Sequence, residues 1–314
     1  SYYKLQKQNV GVVKGAYNTL IKSIKHVSGT DKLEDENETL WYFLNIFHDI
    51  KQVPPATGPL RELQKCDVVL LKIFDKICKK NGFSYWLDYG TLLGAYRHSG
   101  FIPWDDDLDV AMKREEYNKA LPIFKVEMEK YGIEVDEKPE QPMARIGIGY
   151  KHQKTGVWLD VFAMDEILCE KPKDEVKKIL EKKISYYRKY YVKNAAESSK
   201  EKLIKRKQEI INMPKGPFMV FYHCPEFLYA QFTMYDYDTI FPLRQISFEG
   251  QEFYCPNSCQ TYLETYYGAD YMRFPRRGVE HHGRGELRLS QWDAQSGINM
   301  KEILNELNDI YNAI

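Results

Sequence analysis

Between Tyr85 and Val110 the chain sets a small-residue turn, Tyr89-Gly90-Thr91, ahead of the acidic run Asp105-Asp106-Asp107-Leu108-Asp109. Alternate side chains of a β-strand share a face, about 6.6–6.8 Å apart per two-residue step. That spacing predicts Asp105, Asp107 and Asp109 in one row, with Leu108 and Val110 turned to the core. Like charges so placed are costly unless cations neutralise them. Mg2+, with Mn2+ as the alternative, is the expected cofactor, because it divides its coordination between carboxylates and phosphate oxygens. Asp160 lies in a second apolar run, Trp158-Leu159-Asp160-Val161-Phe162, where a carboxylate needs a reason. With Asp107 and Asp109 it completes a site suited to two ions about 3.5–4 Å apart, and it is a candidate base toward an acceptor hydroxyl. The Gly90-Thr91 turn supplies an anion site: Gly permits close backbone approach, Thr offers a hydroxyl, and the following helix points its N-terminus at the ligand. Arg97 and His98 are candidate phosphate clamps, although Arg97 also reads as the partner of an aspartate. Arg145 and Lys151, flanking a strand near Asp160, are weaker candidates of the same kind. The chemistry these residues point to is metal-assisted transfer on an activated phosphate.

Two other metal readings fail on spacing. Asp105-x-Asp107-x-Asp109 with Glu116 at the twelfth place partly matches a calcium loop, but Val110 stands where that loop needs glycine. Cys255-x3-Cys259, with His223-Cys224 upstream, matches no standard zinc spacing. The six cysteines are too sparse for a disulfide scaffold and read as reduced and mostly buried.

The elements that must position these residues form an α/β (α+β) pattern. Apolar residues recur at helical spacing from Pro59 to Asn81, and Lys79, Lys80 and Gly82 suit a helix end. Phe83–Asp88 and Asp107–Met112 read as strands, with a turn opening into a helix over Gly90–Arg97 between them. Ala144–Tyr150 and Val157–Phe162 read as two further strands. Together they predict a mixed-sheet core flanked by helices. Residues 1–58 form a helical lead-in that Pro54-Pro55 closes, 59–285 the catalytic domain, and 286–314 a helical tail. A basic, tyrosine-rich helical insertion over 171–212 is either a solvated pair packed on the core or a surface for anionic lipid. The aromatic run Phe218–Phe232, broken by Pro225, reads as core.

Lys+Arg and Asp+Glu number 45 each, so no global charge points to a nucleic-acid partner. No stretch offers the roughly 18 apolar residues of a membrane span. The chain opens on Ser1, which reads as a processed terminus, and a soluble, cytoplasm-facing protein is the expectation.

The run Leu92-Leu93-Gly94 through Arg97-His98, then Gly100-Phe101-Ile102-Pro103-Trp104-Asp105-Asp106-Asp107-Leu108-Asp109, closely resembles the LicD family. These are phosphorylcholine transferases related to fukutin and fukutin-related protein, within the nucleotidyltransferase-like superfamily. The superfamily's Gly-Ser/Thr turn, Asp-x-Asp strand and later lone Asp map onto Gly90-Thr91, Asp107 with Asp109, and Asp160. Phe248-Glu249-Gly250-x2-Phe253 with Pro256, then Tyr266-Tyr267-Gly268-x-Asp270-Tyr271-Met272, is similar to the family's C-terminal signature, and His281-His282 falls near a late family His. The resemblance covers roughly residues 59–285. It implies transfer of phosphorylcholine, or a similar phospho-alcohol, from a CDP-activated donor such as CDP-choline to a sugar hydroxyl, with release of CMP. The implied acceptor is a lipid-linked glycan or teichoic acid precursor of the cell surface, reached by peripheral contact with the inner membrane face. CDP-ribitol is the donor of fukutin relatives. A quaternary ammonium favours aromatic faces, which makes Tyr85, Trp86, Tyr89, Trp104 and Trp158 candidate contacts for choline or base. The alternatives are a true nucleotidyltransferase acting on a sugar or glycan, and a non-catalytic glycan- or lipid-binding protein.

Overall fold

Pro59 opens a long helix and Gly82 closes it. The first turn tolerates proline because its N–H would have no helical partner, and Gly82 takes the left-handed φ of 71° of a C-cap. The helix is α1 (Gly58–Asn81), and its buried stripe includes Leu60, Leu63, Leu70, Phe74 and Ile77. The computed structural model describes residues 44–137, 145–151, 155–178, 181, 218–223, 233–275 and 298–314. They belong to two units. The first comprises Ser1–Ile50 with Arg273–Gly278. Its described part has a helical turn at 44–47, where Asn45 Oδ1 accepts the Phe274 N–H at 2.8 Å.

The second unit, Lys51–Met272 with Val279–Ile314, carries the sheet. After α1 come β1 (Trp86–Leu87), α2 (Tyr89–His98), β2 (Leu108–Lys113), α3 (Arg114–Glu129), β3 (Ile133–Glu137), β4 (Arg145–Tyr150) and β5 (Trp158–Cys169). Then follow β6 (Phe218–His223), β7 (Met234–Asp236), α4 (Tyr237–Ile240), β8 (Arg244–Phe248), β9 (Gln251–Cys255), α5 (Cys259–Tyr267) and α6 (Met300–Ala313). Among the described residues seven strands form one mixed sheet in the order β1-β2-β5-β4-β3, with β6 joined to β5 and β7 to β6. Only β2 and β5 run parallel; the other pairs in this sheet are antiparallel. The expected α/β class is what forms.

Several elements differ in extent from the sequence expectation. The strand expected over Phe83–Asp88 shrinks to Trp86–Leu87, and the one starting near Val157 runs on to Cys169. Asp105 to Asp107 precede β2 rather than lying on it. The β8–β9 hairpin turns through Glu249 and Gly250, both at left-handed φ (50° and 73°), as two-residue hairpin turns often require. The C-terminal helix α6 belongs to the same unit as the sheet and packs on α1, burying Leu307 and Ile303. Lys76 Nζ donates to Tyr311 O at 2.8 Å across that contact. Among the described residues no helix is long and apolar enough to cross a membrane.

Candidate active site

Parallel pairing of β2 with β5 puts Asp109 and Asp160 directly opposite each other. One carboxylate oxygen from each of Asp107, Asp109 and Asp160 lies within 4.8 Å of the others. A second group, Asp105, Asp106 and Asp107, is equally close, so Asp107 is common to both. Asp105 therefore does not extend the row of Asp107 and Asp109. It sits in the turn ahead of β2, where strand alternation no longer governs direction, and is buried beside Asp106 (each 3 % exposed). Burial pushes the Asp109 carboxyl well above its ordinary range, and the charges of Asp107, Asp160, Asp105 and Asp88 push the same way. An all-carboxylate set with Asp160 buried and Asp107 and Asp109 half-buried fits a hard, oxygen-seeking divalent ion that also meets substrate oxygens. Asp107, Asp109 and Asp160 would hold it.

The N-terminus of α2 forms the adjoining wall. Asp88 caps it: Oδ1 accepts the Tyr89 N–H and the Tyr262 hydroxyl, each at 2.8 Å, while the Asp88 N–H donates to Asp109 O at 3.0 Å. Tyr89 takes a left-handed φ of 38° at this joint, unusual for a bulky residue. A Cβ on Gly90 would lie 2.6 Å from Asp105 Oδ2. The close approach that Gly90 permits is thus made to a carboxylate, an anion that the helix dipole favours there. Thr91 Oγ1 accepts the Asp109 N–H at 2.8 Å and is nearly buried, so this hydroxyl ties α2 to the carboxylate strand.

Arg97 is buried, and its Nη1 donates to Tyr271 O at 2.8 Å. Burial lowers its pKa to about 10, partly offset by Tyr267 and the Asp105 charge. His98 stands beside it, Nδ1 accepting from Arg97 Nε at 3.4 Å. Sequence reasoning missed a chain of bonds that holds the acidic turn. Gln64 Nε2 donates to Asp105 O (2.9 Å), Arg61 Nη1 donates to Gln64 Oε1 (3.2 Å), and Arg61 grips Glu249 through both terminal nitrogens (2.9 and 2.7 Å). Glu249 in turn accepts the Phe101 N–H (3.1 Å) and donates its own N–H to Ser99 O (2.9 Å). The Phe248-Glu249-Gly250 motif was the available signal.

The aromatic candidates separate. Tyr85 and Trp86 are 0 % exposed and pack in the core against Phe74, Tyr254 and Phe241, so neither offers a face to a ligand. The β-region alternation around them turned inward because both faces of this part of the sheet are covered. Trp104 is half-buried against the core. Tyr89 meets Phe162 (5.1 Å) and Tyr266 (4.9 Å) edge-on. Burial raises the Tyr266 phenol, and Asp88 and Asp109 add to that. Tyr266 and Phe162 are aromatic neighbours of the site that periodicity alone did not single out. Trp158 donates its indole N–H to Asp160 Oδ1 at 2.7 Å. Lys151 is committed elsewhere, paired with Glu306 of α6 at 2.6 Å. Arg145 pairs in register with Phe162, one strand from Asp160; its side chain lies outside the described residues, as do His281, His282 and most of 171–212. Cys255 and Cys259 are free thiols, and no metal-capable group among the described residues includes them.

Residues 82–199 match the family model described as LicD/FKTN/FKRP, nucleotidyltransferase domain. The chain is 30 % identical over 246 residues to the lipopolysaccharide cholinephosphotransferase LicD of Haemophilus influenzae, covering 69 % of this chain and 92 % of that protein. An uncharacterised Rickettsia typhi protein is 33 % identical over 114 residues (35 % of this chain, 31 % of that protein). The human ribitol 5-phosphate transferase FKRP is 40 % identical over 57 residues, 18 % of this chain and 11 % of that protein.

Proposed function

From the premise that the chain belongs to the LicD family, we propose that it is a transferase moving phosphorylcholine, or a similar phospho-alcohol, from a CDP-activated donor to a sugar hydroxyl of a cell-surface glycan, with release of CMP. The observation that carries this reading is the Asp107–Asp109–Asp160 cluster on two parallel strands, in a chain similar to a cholinephosphotransferase over nearly that protein's whole length. Mg2+ bound there would neutralise pyrophosphate charge and polarise the transferred phosphoryl group. Asp107 and Asp109 bind the ion, and Asp160 completes the set. The Trp158 indole N–H already engages one oxygen of Asp160, which fixes this carboxylate as a ligand. Arg97, buried beside the acidic turn, adds positive charge on the phosphate side. Tyr266, half-buried and edge-on to Tyr89, offers an aromatic face to an ammonium-bearing alcohol. Most of the rate enhancement comes from positioning and charge neutralisation. A lipid-linked acceptor would bring the protein to the inner membrane face.

The test is phosphorus NMR of the protein with Mg2+ and CDP-choline, CDP-ribitol or CDP-glycerol, with and without lipid-linked glycan. CMP release and a phosphodiester product from one donor, lost in Asp107→Asn, are expected. Pyrophosphate or a nucleotidylated product would point instead to a nucleotidyltransferase, and no turnover under any condition would favour a binding protein.

A further inference from the structure

Gly147 lies in the interior of β4, where glycine costs roughly 0.5–1 kcal/mol relative to alanine. Its φ is not left-handed, so backbone conformation does not explain it. The neighbouring strand does. Gly147 pairs with Asp160, and Gly149 with Trp158, and residues two apart on a strand share a face. A Cβ on Gly147 would fall 1.7 Å from Cζ2 and 2.3 Å from Cη2 of Trp158. The missing side chain is the slot in which the indole lies. From that slot Nε1 reaches Asp160 Oδ1 at 2.7 Å, the short distance of a charge-assisted bond. The other end of the residue is pinned as well, because the Trp158 N–H donates to Oδ1 of Asp67, a fully buried residue of α1, at 3.0 Å.

We propose that Trp158 is a positioning residue whose indole N–H, held in the Gly147 slot, orients the Asp160 carboxylate toward Asp107 and Asp109. The proposal rests on the reading that these three carboxylates hold a divalent cation. The bond engages one oxygen of Asp160 and sets the plane of the carboxylate, so the ion meets a preset ligand. A carboxylate free to rotate would have to be ordered by the ion at a cost in affinity. Trp158 is 9 % exposed, so its face is not offered to a substrate. Outer partners of this kind typically contribute 10–100-fold to metal affinity.

Mn2+ binding to the purified full chain, followed by the electron paramagnetic resonance signal of free Mn2+, tests this without any donor. Three proteins are compared: the parent, Trp158→Phe, and a form carrying 3-benzothienylalanine at position 158, which keeps the bicyclic shape and replaces the N–H with sulfur. Both altered forms should bind Mn2+ about 10–100-fold more weakly, and the benzothienyl form should keep the parent's urea midpoint. A purely packing role would leave the affinity of that form unchanged, so binding within about twofold of the parent overturns the proposal while the metal site stands. Failure of the parent to bind Mn2+ overturns the metal reading and the proposal with it. The benzothienyl form decides the matter if Trp158→Phe does not fold.

Discussion

Removing Glu249 should loosen the acidic turn from a distance, and a double-mutant cycle with Arg61 measures by how much. The pair is bidentate at 2.9 and 2.7 Å, with side chains 25 % and 17 % exposed. Exposed ion pairs contribute about 0.2–1 kcal/mol, while stripping one partner from a buried pair costs about 3–5 kcal/mol. With roughly a fifth of each side chain still in water, a coupling energy of about 2 kcal/mol is expected, some 30-fold in the folding equilibrium. Glu249→Ala also strands the Phe101 N–H, so its total cost should reach about 3 kcal/mol. Urea unfolding of the parent, Arg61→Ala, Glu249→Ala and the double variant gives the coupling directly. Independent sites add within about 0.3–0.5 kcal/mol, so a coupling below that range refutes the assignment. The pH dependence has a definite sign. Burial alone would raise the Glu249 carboxyl, but the Arg61 bonds, the Phe101 N–H and the guanidinium charge outweigh it and hold it below its ordinary 4.5. A depressed carboxyl contributes stability above its unfolded-state pKa and loses it as pH falls through the folded value. The coupling should therefore be full at neutral pH and fade in acid below about 4.5.

Three other outcomes are expected. Gly94→Ala would bring a Cβ to 2.5 Å from Gly100 O and 3.0 Å from Ile102 N, so overpacking should cost about 1–3 kcal/mol and slow CMP release by displacing the loop before Asp105; parent-like stability and rate would contradict the contact. Leu307→Ala should lose about 2–5 kcal/mol in urea unfolding, because this fully buried side chain anchors α6 on α1; a loss below about 1 kcal/mol would mean that α6 is not part of the core. Mg2+ should raise the unfolding midpoint by relieving repulsion at the carboxylates, by about 2.7 kcal/mol at a hundred times its Kd, and Asp107→Asn should abolish the gain; an equal gain in that variant would place the ion elsewhere.

Much of the site was legible because its signals are local. The two-residue spacing singled out Asp107 and Asp109, which do come together although Asp107 lies just ahead of β2, and a charge stranded in an apolar run marked Asp160. Proline and glycine at its ends delimited α1, and Gly90 marked a close approach. What periodicity could not convey was direction once the chain left regular structure. Asp105 continues the alternation on paper, yet it folds back against α2 because β2 begins only at Leu108. Tyr85 and Trp86 flank the motif in sequence but turn into the core. Tyr266 arrives from a helix far along the chain to stand beside Tyr89. The strand β3 and the helix α3 carry no residue of the site and offered no chemical signal, and β6 was hidden in an aromatic run.

By itself the sequence determined the fold class and the groups the site has to work with: carboxylates two residues apart, a glycine turn and an α/β succession, each written in neighbours a few residues apart. Only the tertiary structure decided which partners those groups would have. The opposition of Asp109 and Asp160 comes from strand pairing, the slot for Trp158 from a glycine on the adjacent strand, and the tether on Asp105 from an arginine and a glutamate 188 residues apart. The physical reason is that alternation and capping are properties of a local backbone, whereas hydrogen-bond partners and buried charges depend on which distant segments the core brings together.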